Sequence, residues 1–265
     1  MYGRKARRAG PRSNANALRR YNDVMVFGLF SKEKSLQKTI ERATNKLSQQ
    51  PDRWAALEKL KEDGSDEALF GLCKRWGIVS NKAVEDEQEK QWVVDTLVAA
   101  GPKALPPLVK YMKGSDQLSF PLRVVERVAD HDKVLEIADQ LFASEPPGYV
   151  RMPDRRIDLI KWFSEWKGGT DEEIVSRLTP YVTDFDENVR FAAIEGMNGR
   201  DPAKIGAPLA AAFLRPDEES GRIKRTILEV LARTKAPLGD HAAAVGAGMT
   251  GPLSEFRVDG GVVRR

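Results

Sequence analysis

What most constrains this chain is a period. Signals that open a helix, an acidic residue or a proline ahead of apolar positions at helical spacing, recur at Asp52, Glu85, Asp116, Pro153, Asp186 and Glu219. The steps between them are 33, 31, 37, 33 and 33 residues. A unit of that length cannot bury its apolar face alone, so neighbouring units must stack. Alternating Val/Ile/Thr runs are scarce, while Ala, Leu, Glu, Lys and Arg fill long amphipathic windows. The expected fold is all-α, an α-solenoid of about five to six stacked antiparallel helix pairs forming one body.

The clearest unit is Asp184 to Met197. Asp184 and Glu187 have the spacing of a capping box, which predicts a helix from near Phe185. Val189, Ala193 and Met197, with Ala192 and Gly196 beside them, form a narrow face of mostly small groups that a second helix can approach closely. The order Asp184, Asp186, Val189-Arg190, Ala193, Met197 resembles the second helix of a HEAT repeat, in the short bacterial form named after phycobiliprotein lyases. The resemblance implies a structural polar ladder between units through Asp184, Asp186 and Arg190. The next unit, Ile223 to Leu231, places Lys224 where the ladder Arg would stand. A Lys cannot give a planar bidentate contact, so that unit reads as a divergent terminal one.

Charge is informative once divided. The chain carries +4 overall, but residues 1–24 hold Arg4, Lys5, Arg7, Arg8, Arg12, Arg19 and Arg20 against Asp23, a net of +6, which leaves −2 for the rest. Residues 1–24 are expected to be a disordered basic extension. Three readings stay open for it: a tail for nucleic acid or acidic lipid, an export signal with Val24 to Phe30 as its apolar core, or an upstream extension with translation starting at Met25. The solenoid is expected over 25–235. Beyond it, 236–265 reads as a Gly/Ala-rich flexible arm, with a small hairpin around Asp259-Gly260.

Several features have plain structural readings. Cys73, the only cysteine, is expected to be a small core residue in a reducing, cytoplasmic setting. The carboxylates of Glu85 to Glu89 are read as favouring a helix N-terminus. Gly246 to Gly251 spells GxGxxG, but no strand precedes it and Pro252 follows, which argues against a dinucleotide site. His131 and His241 are far apart, so no metal site is expected. The Leu159, Trp162, Phe163 and Trp166 stripe reads as core, with Trp162 or Trp166 the alternative candidate for a protruding anchor beside Tyr149.

No HExxH, CxxC, phosphate loop or paired His-Glu motif of HEAT-like hydroxylases occurs. The sequence therefore leads to a non-enzymatic interaction scaffold without cofactor or membrane span, expected to be a monomer that binds another protein. The loop Glu145 to Pro153, the longest irregular stretch, places Tyr149, Arg151 and the Trp162 helix at the expected contact. The alternative is nucleic-acid binding by the basic tail or by a face including Arg190, Arg222, Lys224 and Arg225.

Overall fold

A computed structural model describes residues 33–265. The expected 1–24 extension lies outside the described residues. Helix α1 (33–43) is followed by α2 (Gln50–Asp63), α3 (Asp66–Cys73), α4 (Ala83–Ala100), α5 (Leu105–Lys113), α6 (Ser119–Val128) and α7 (His131–Ser144). Then come α8 (Asp154–Glu165), α9 (Asp171–Leu178), α10 (Glu187–Gly196), α11 (Pro202–Phe213), α12 (Gly221–Thr234) and α13 (Ala242–Ala247).

These helices form two layers. The even-numbered helices α2 to α12 pack in sequence, most extensively α8 on α10 and α4 on α6, while α3 packs on α5 and α9 on α11 in the other layer. The starts of α2, α4, α6, α8, α10 and α12 are 33, 36, 35, 33 and 34 residues apart. The period read from the sequence is thus the repeat of one layer of a HEAT-like solenoid.

Local chemistry sets the helix limits. Ser65, Asp130, Thr170, Asp201 and Ser220 accept an amide hydrogen bond ahead of α3, α7, α9, α11 and α12. Pro121 falls in the first turn of α6, where its missing amide leaves no bond unmade. Val189, Ala193 and Met197 are fully buried, as their spacing requires. A Cβ on Gly196 would lie 2.8 Å from Ser164 Cβ on α8 and 2.8 Å from Leu178 Cδ1, so the small residue there permits the close approach of α10.

The start of α10 differs from the expected capping box. The N-cap is Asp186, whose Oδ1 accepts from the amides of Asn188 at 2.8 Å and Val189 at 3.2 Å. Asp184 is buried instead, and the reason is an ion pair with the preceding repeat, described below.

The segment expected as a flexible arm is packed. Ala236, Leu238, Val245, Phe256 and Val263 are buried, and strands β1 (Arg257–Asp259) and β2 (Val262–Arg264) form an antiparallel hairpin whose β2 lies against α12. Its two-residue loop is Gly260-Gly261, both at positive φ, as this turn requires. The Leu238 amide donates to the Gly261 carbonyl at 2.9 Å. A Cβ on Gly206 of α11 would meet the Pro237 carbonyl oxygen at 2.1 Å, so only Gly lets this segment seat. The apparent GxGxxG is part of this cap: Val245 and Met249 are buried, and Gly246 faces Val258.

At the other end, α2, α3 and α4 enclose a cluster of charges. Glu89, fully buried, accepts from Arg53 Nη2 at 2.9 Å and Arg75 Nε at 2.6 Å. Asp86 accepts from Arg75 Nη2 at 2.6 Å and the Ser80 amide at 2.9 Å, and pairs with Lys90 at 2.7 Å. Of the acidic run ahead of Trp92, two carboxylates therefore neutralise buried cations, a different role from the dipole contact expected. Burial works to raise the Asp86 pKa, but donation by Lys90, Arg75 and the Ser80 amide outweighs it and holds the carboxyl below its usual range.

Candidate docking surface

The loop 145–153 joins α7 to α8 and is anchored from below. Arg156 Nη1, on the first turn of α8, donates to the Gly148 carbonyl at 2.9 Å and to Asp184 Oδ2 at 2.8 Å. Asp184 Oδ2 also accepts from the Gly148 amide at 3.2 Å, and its Oδ1 accepts from the Asp186 amide at 2.8 Å. One buried carboxylate thus ties the loop, α8 and the start of α10 together. Arg155 Nε pairs with Glu145 at 2.7 Å, and its Nη1 donates to the Met112 carbonyl at 2.7 Å. The Tyr181 hydroxyl donates to the Glu145 carbonyl at 2.8 Å. Burial pushes that phenol up to about 12, so it keeps its donor proton at neutral pH.

The same arrangement recurs one repeat on. Arg190 Nε lies 2.7 Å from Glu218 Oε2, and Glu218 Oε1 accepts from the Ser220 amide at 2.9 Å. The rungs are therefore Arg156–Asp184 and Arg190–Glu218, each spanning 28 residues. Asp186 is a helix cap rather than a rung. Lys224 has no ion pair among the described residues, where α12 is followed by the short helix α13 and the β1–β2 hairpin.

Above this anchor the loop presents apolar groups to solvent. Tyr149 is 76% exposed, Met152 71% and Phe185 68%. The Tyr149 and Phe185 rings meet edge to face, with centroids 5.3 Å apart and planes at 88°. Beside Phe185 opens a cavity of about 760 Å³ between the starts of α10 and α12. Its walls include Glu187, Asp217 and Glu219, with Arg215 held by Asp217 and Arg190 held by Glu218. Carboxylates outnumber guanidiniums there, which leaves the cavity net acidic.

Of the residues the sequence placed at a contact, Tyr149 and Arg151 are exposed on this loop. Trp162 is not beside them as an anchor. It is partly buried against the core, with its ring 6.0 Å from Phe163 and its indole nitrogen enclosed without a partner. Helical spacing alone could not separate an inward from an outward tryptophan. Phe185 was missed as a contact residue because it was read as the first residue of a helix.

The basic residues proposed as a nucleic-acid face are mostly engaged within the chain. Arg190 binds Glu218, and Arg222 lies 3.3 Å from Glu187 and over the Phe191 ring at 4.1 Å. Arg225 pairs with Glu255 and donates to the Pro252 carbonyl. His131 sits between Asp132 and Glu173 and against Trp166, with its imidazole pKa raised by the Asp132 contact first. Among the described residues, no three His, Cys, Asp or Glu side chains are grouped to hold a metal ion, and no helix is long and apolar enough to cross a membrane. Cys73 is buried, and burial pushes its thiol up.

No family model matches the chain, and no curated protein matches it. Among solved structures, it is similar to human deoxyhypusine hydroxylase in complex with glycerol, at 16% identity, covering 85% of this chain and 93% of that one, with a TM-score of 0.30. That protein is an enzyme, and with it the expectations of a non-enzymatic scaffold and of no enzymatic role are withdrawn. At this identity and TM-score the likeness assigns no activity, substrate or residue to the present chain.

Proposed function

We propose that the loop 145–153 and the start of α10 form a docking platform for a segment of another polypeptide, one that carries an apolar side chain and a basic one. The observation that carries this is the Tyr149–Phe185 pair: two exposed aromatics held in edge-to-face contact on a loop fixed by a buried ion pair. Anchored aromatics lose little entropy on binding, which is why such residues dominate interface energetics. The net acidic cavity beside Phe185 supports a basic group next to the apolar anchor.

The test places a photocrosslinking residue at position 149 in the full chain, in its native cells, with position 132 as the exposed control. A saturable adduct at 149, absent at 132 and reduced at least tenfold by Phe185→Ala combined with Glu219→Lys, is the expected result. No adduct above the control, or one indifferent to those changes, would overturn the reading.

A further inference from the structure

A strongly apolar surface lies away from this platform, between α2 and α4. It is an open groove of about 770 Å³ walled by Trp54, Val84 and Trp92 and edged by Glu87 and Asp95. The indole rings are 5.3 Å apart at 50°, and Val84 is 71% exposed. Trp54 Nε1 donates to Glu58 at 3.1 Å, so its polar edge is satisfied and needs nothing from an occupant. The pattern along α4 says what shape fits. Val84, Gln88 and Trp92 recur every four residues and make one ridge about 12 Å long at ~1.5 Å per residue, and Glu87, Gln91 and Asp95 make the ridge beside it. Such ridges are met by the same ridges on another helix, the geometry in which an amphipathic helix lays its apolar face into a groove.

Charge narrows the occupant further. Among the described residues, the groove lining holds two carboxylates and no cation. Cations of this chain reach its rim at two points. Lys61 Nζ stands 5.5 Å from the Trp92 ring, and Arg127 lies 3.5 Å from Asp95, whose Oδ1 also accepts from Gln91 Nε2 at 3.1 Å. Glu87 has no ion pair among the described residues. The open place for a cation is therefore opposite Glu87, one turn along α4 from Val84.

We propose that the α2–α4 groove receives an amphipathic helix of another protein, with apolar side chains four residues apart against Trp54, Val84 and Trp92 and one lysine or arginine opposite Glu87. Contact with the two indoles and Val84 supplies most of the affinity, and the basic group sets the register of the helix in the groove.

The probe is a displayed library of helical peptides about four turns long, on an alanine and glutamine host with the positions of one face randomised, selected on the full chain. The enriched peptides should carry two apolar residues four apart with a lysine or arginine beside them. They should bind the parent saturably, and at least tenfold more weakly the variants Val84→Gln and Glu87→Lys, which change exposed positions and leave the core intact. Glutamate in place of the peptide's basic residue should restore binding to Glu87→Lys, and a proline at the peptide's centre should abolish it. A library without a saturable binder, or binders that lack the basic residue, tolerate the proline or hold both variants as tightly as the parent, would overturn the proposal. So would self-association of the parent that is lost in Val84→Gln, which would give the groove to a second copy.

Discussion

The two ends of this solenoid are built by opposite electrostatic strategies. From α8 to α12, ion pairs are distributed, one rung per repeat at a fixed spacing of 28 residues, each tying a helix start to its neighbour. From α2 to α4 they are concentrated, with Arg53, Arg75, Lys90, Asp86 and Glu89 sharing one buried site. The packing follows. In the layer of even-numbered helices, α10 approaches α8 over the small residue Gly196, whereas the junction of α2 and α4 carries the Trp54 and Trp92 rings, 5.3 Å apart. A periodic sequence can repeat a rung, and a single cluster is what the first units have in its place.

The largest effect should come from breaking the cluster. Glu89→Ala leaves two buried guanidiniums without their shared carboxylate and should cost about 3–5 kcal/mol in urea unfolding. Asp184→Asn keeps the shape of a rung but removes its charge, and should cost about 2 kcal/mol. A cost for Asp184→Asn equal to or above that of Glu89→Ala would erase the distinction between the two ends.

Acid should distinguish them next. The Asp86 carboxyl is held below its usual range, so its contribution is fully present above the unfolded-state pKa and is lost as pH falls through the lower folded-state value. Amide exchange followed downward from neutral pH should therefore show loosening of α2 to α4 in that acid window, reduced in Asp86→Asn. The smallest effect belongs to the platform. Tyr149→Ala removes an exposed ring and should change stability by no more than about 0.5 kcal/mol while lowering partner capture at that surface.

Much of this architecture was legible in the sequence, for a physical reason. Helix starts, breakers and small-residue faces are local signals, so the period, the Val189–Ala193–Met197 face and the first-turn position of Pro121 follow from neighbouring residues. What failed was long-range. Asp184 and Asp186 look alike over ten residues, and only the Arg156 guanidinium, 28 positions earlier, makes one a rung and leaves the other a cap. The 236–265 segment looks like a flexible arm because its own burial is meagre. Its order comes from Gly206 and α12, which composition cannot reveal. The exposure of Tyr149 was legible because an irregular loop is a local feature, whereas Phe185, whose ring meets it, lies one repeat away.

The Arg156–Asp184 pair holds the Tyr149 loop in place without any partner, through the Gly148 carbonyl and amide. The most direct measurement is the hydrogen-exchange rate of the Gly148 amide, which donates to Asp184. Slow exchange in the parent, becoming fast in Asp184→Asn while α8 and α10 stay protected, is the predicted result. Fast exchange of Gly148 in the parent, at the rate of an unprotected loop amide, would contradict the account.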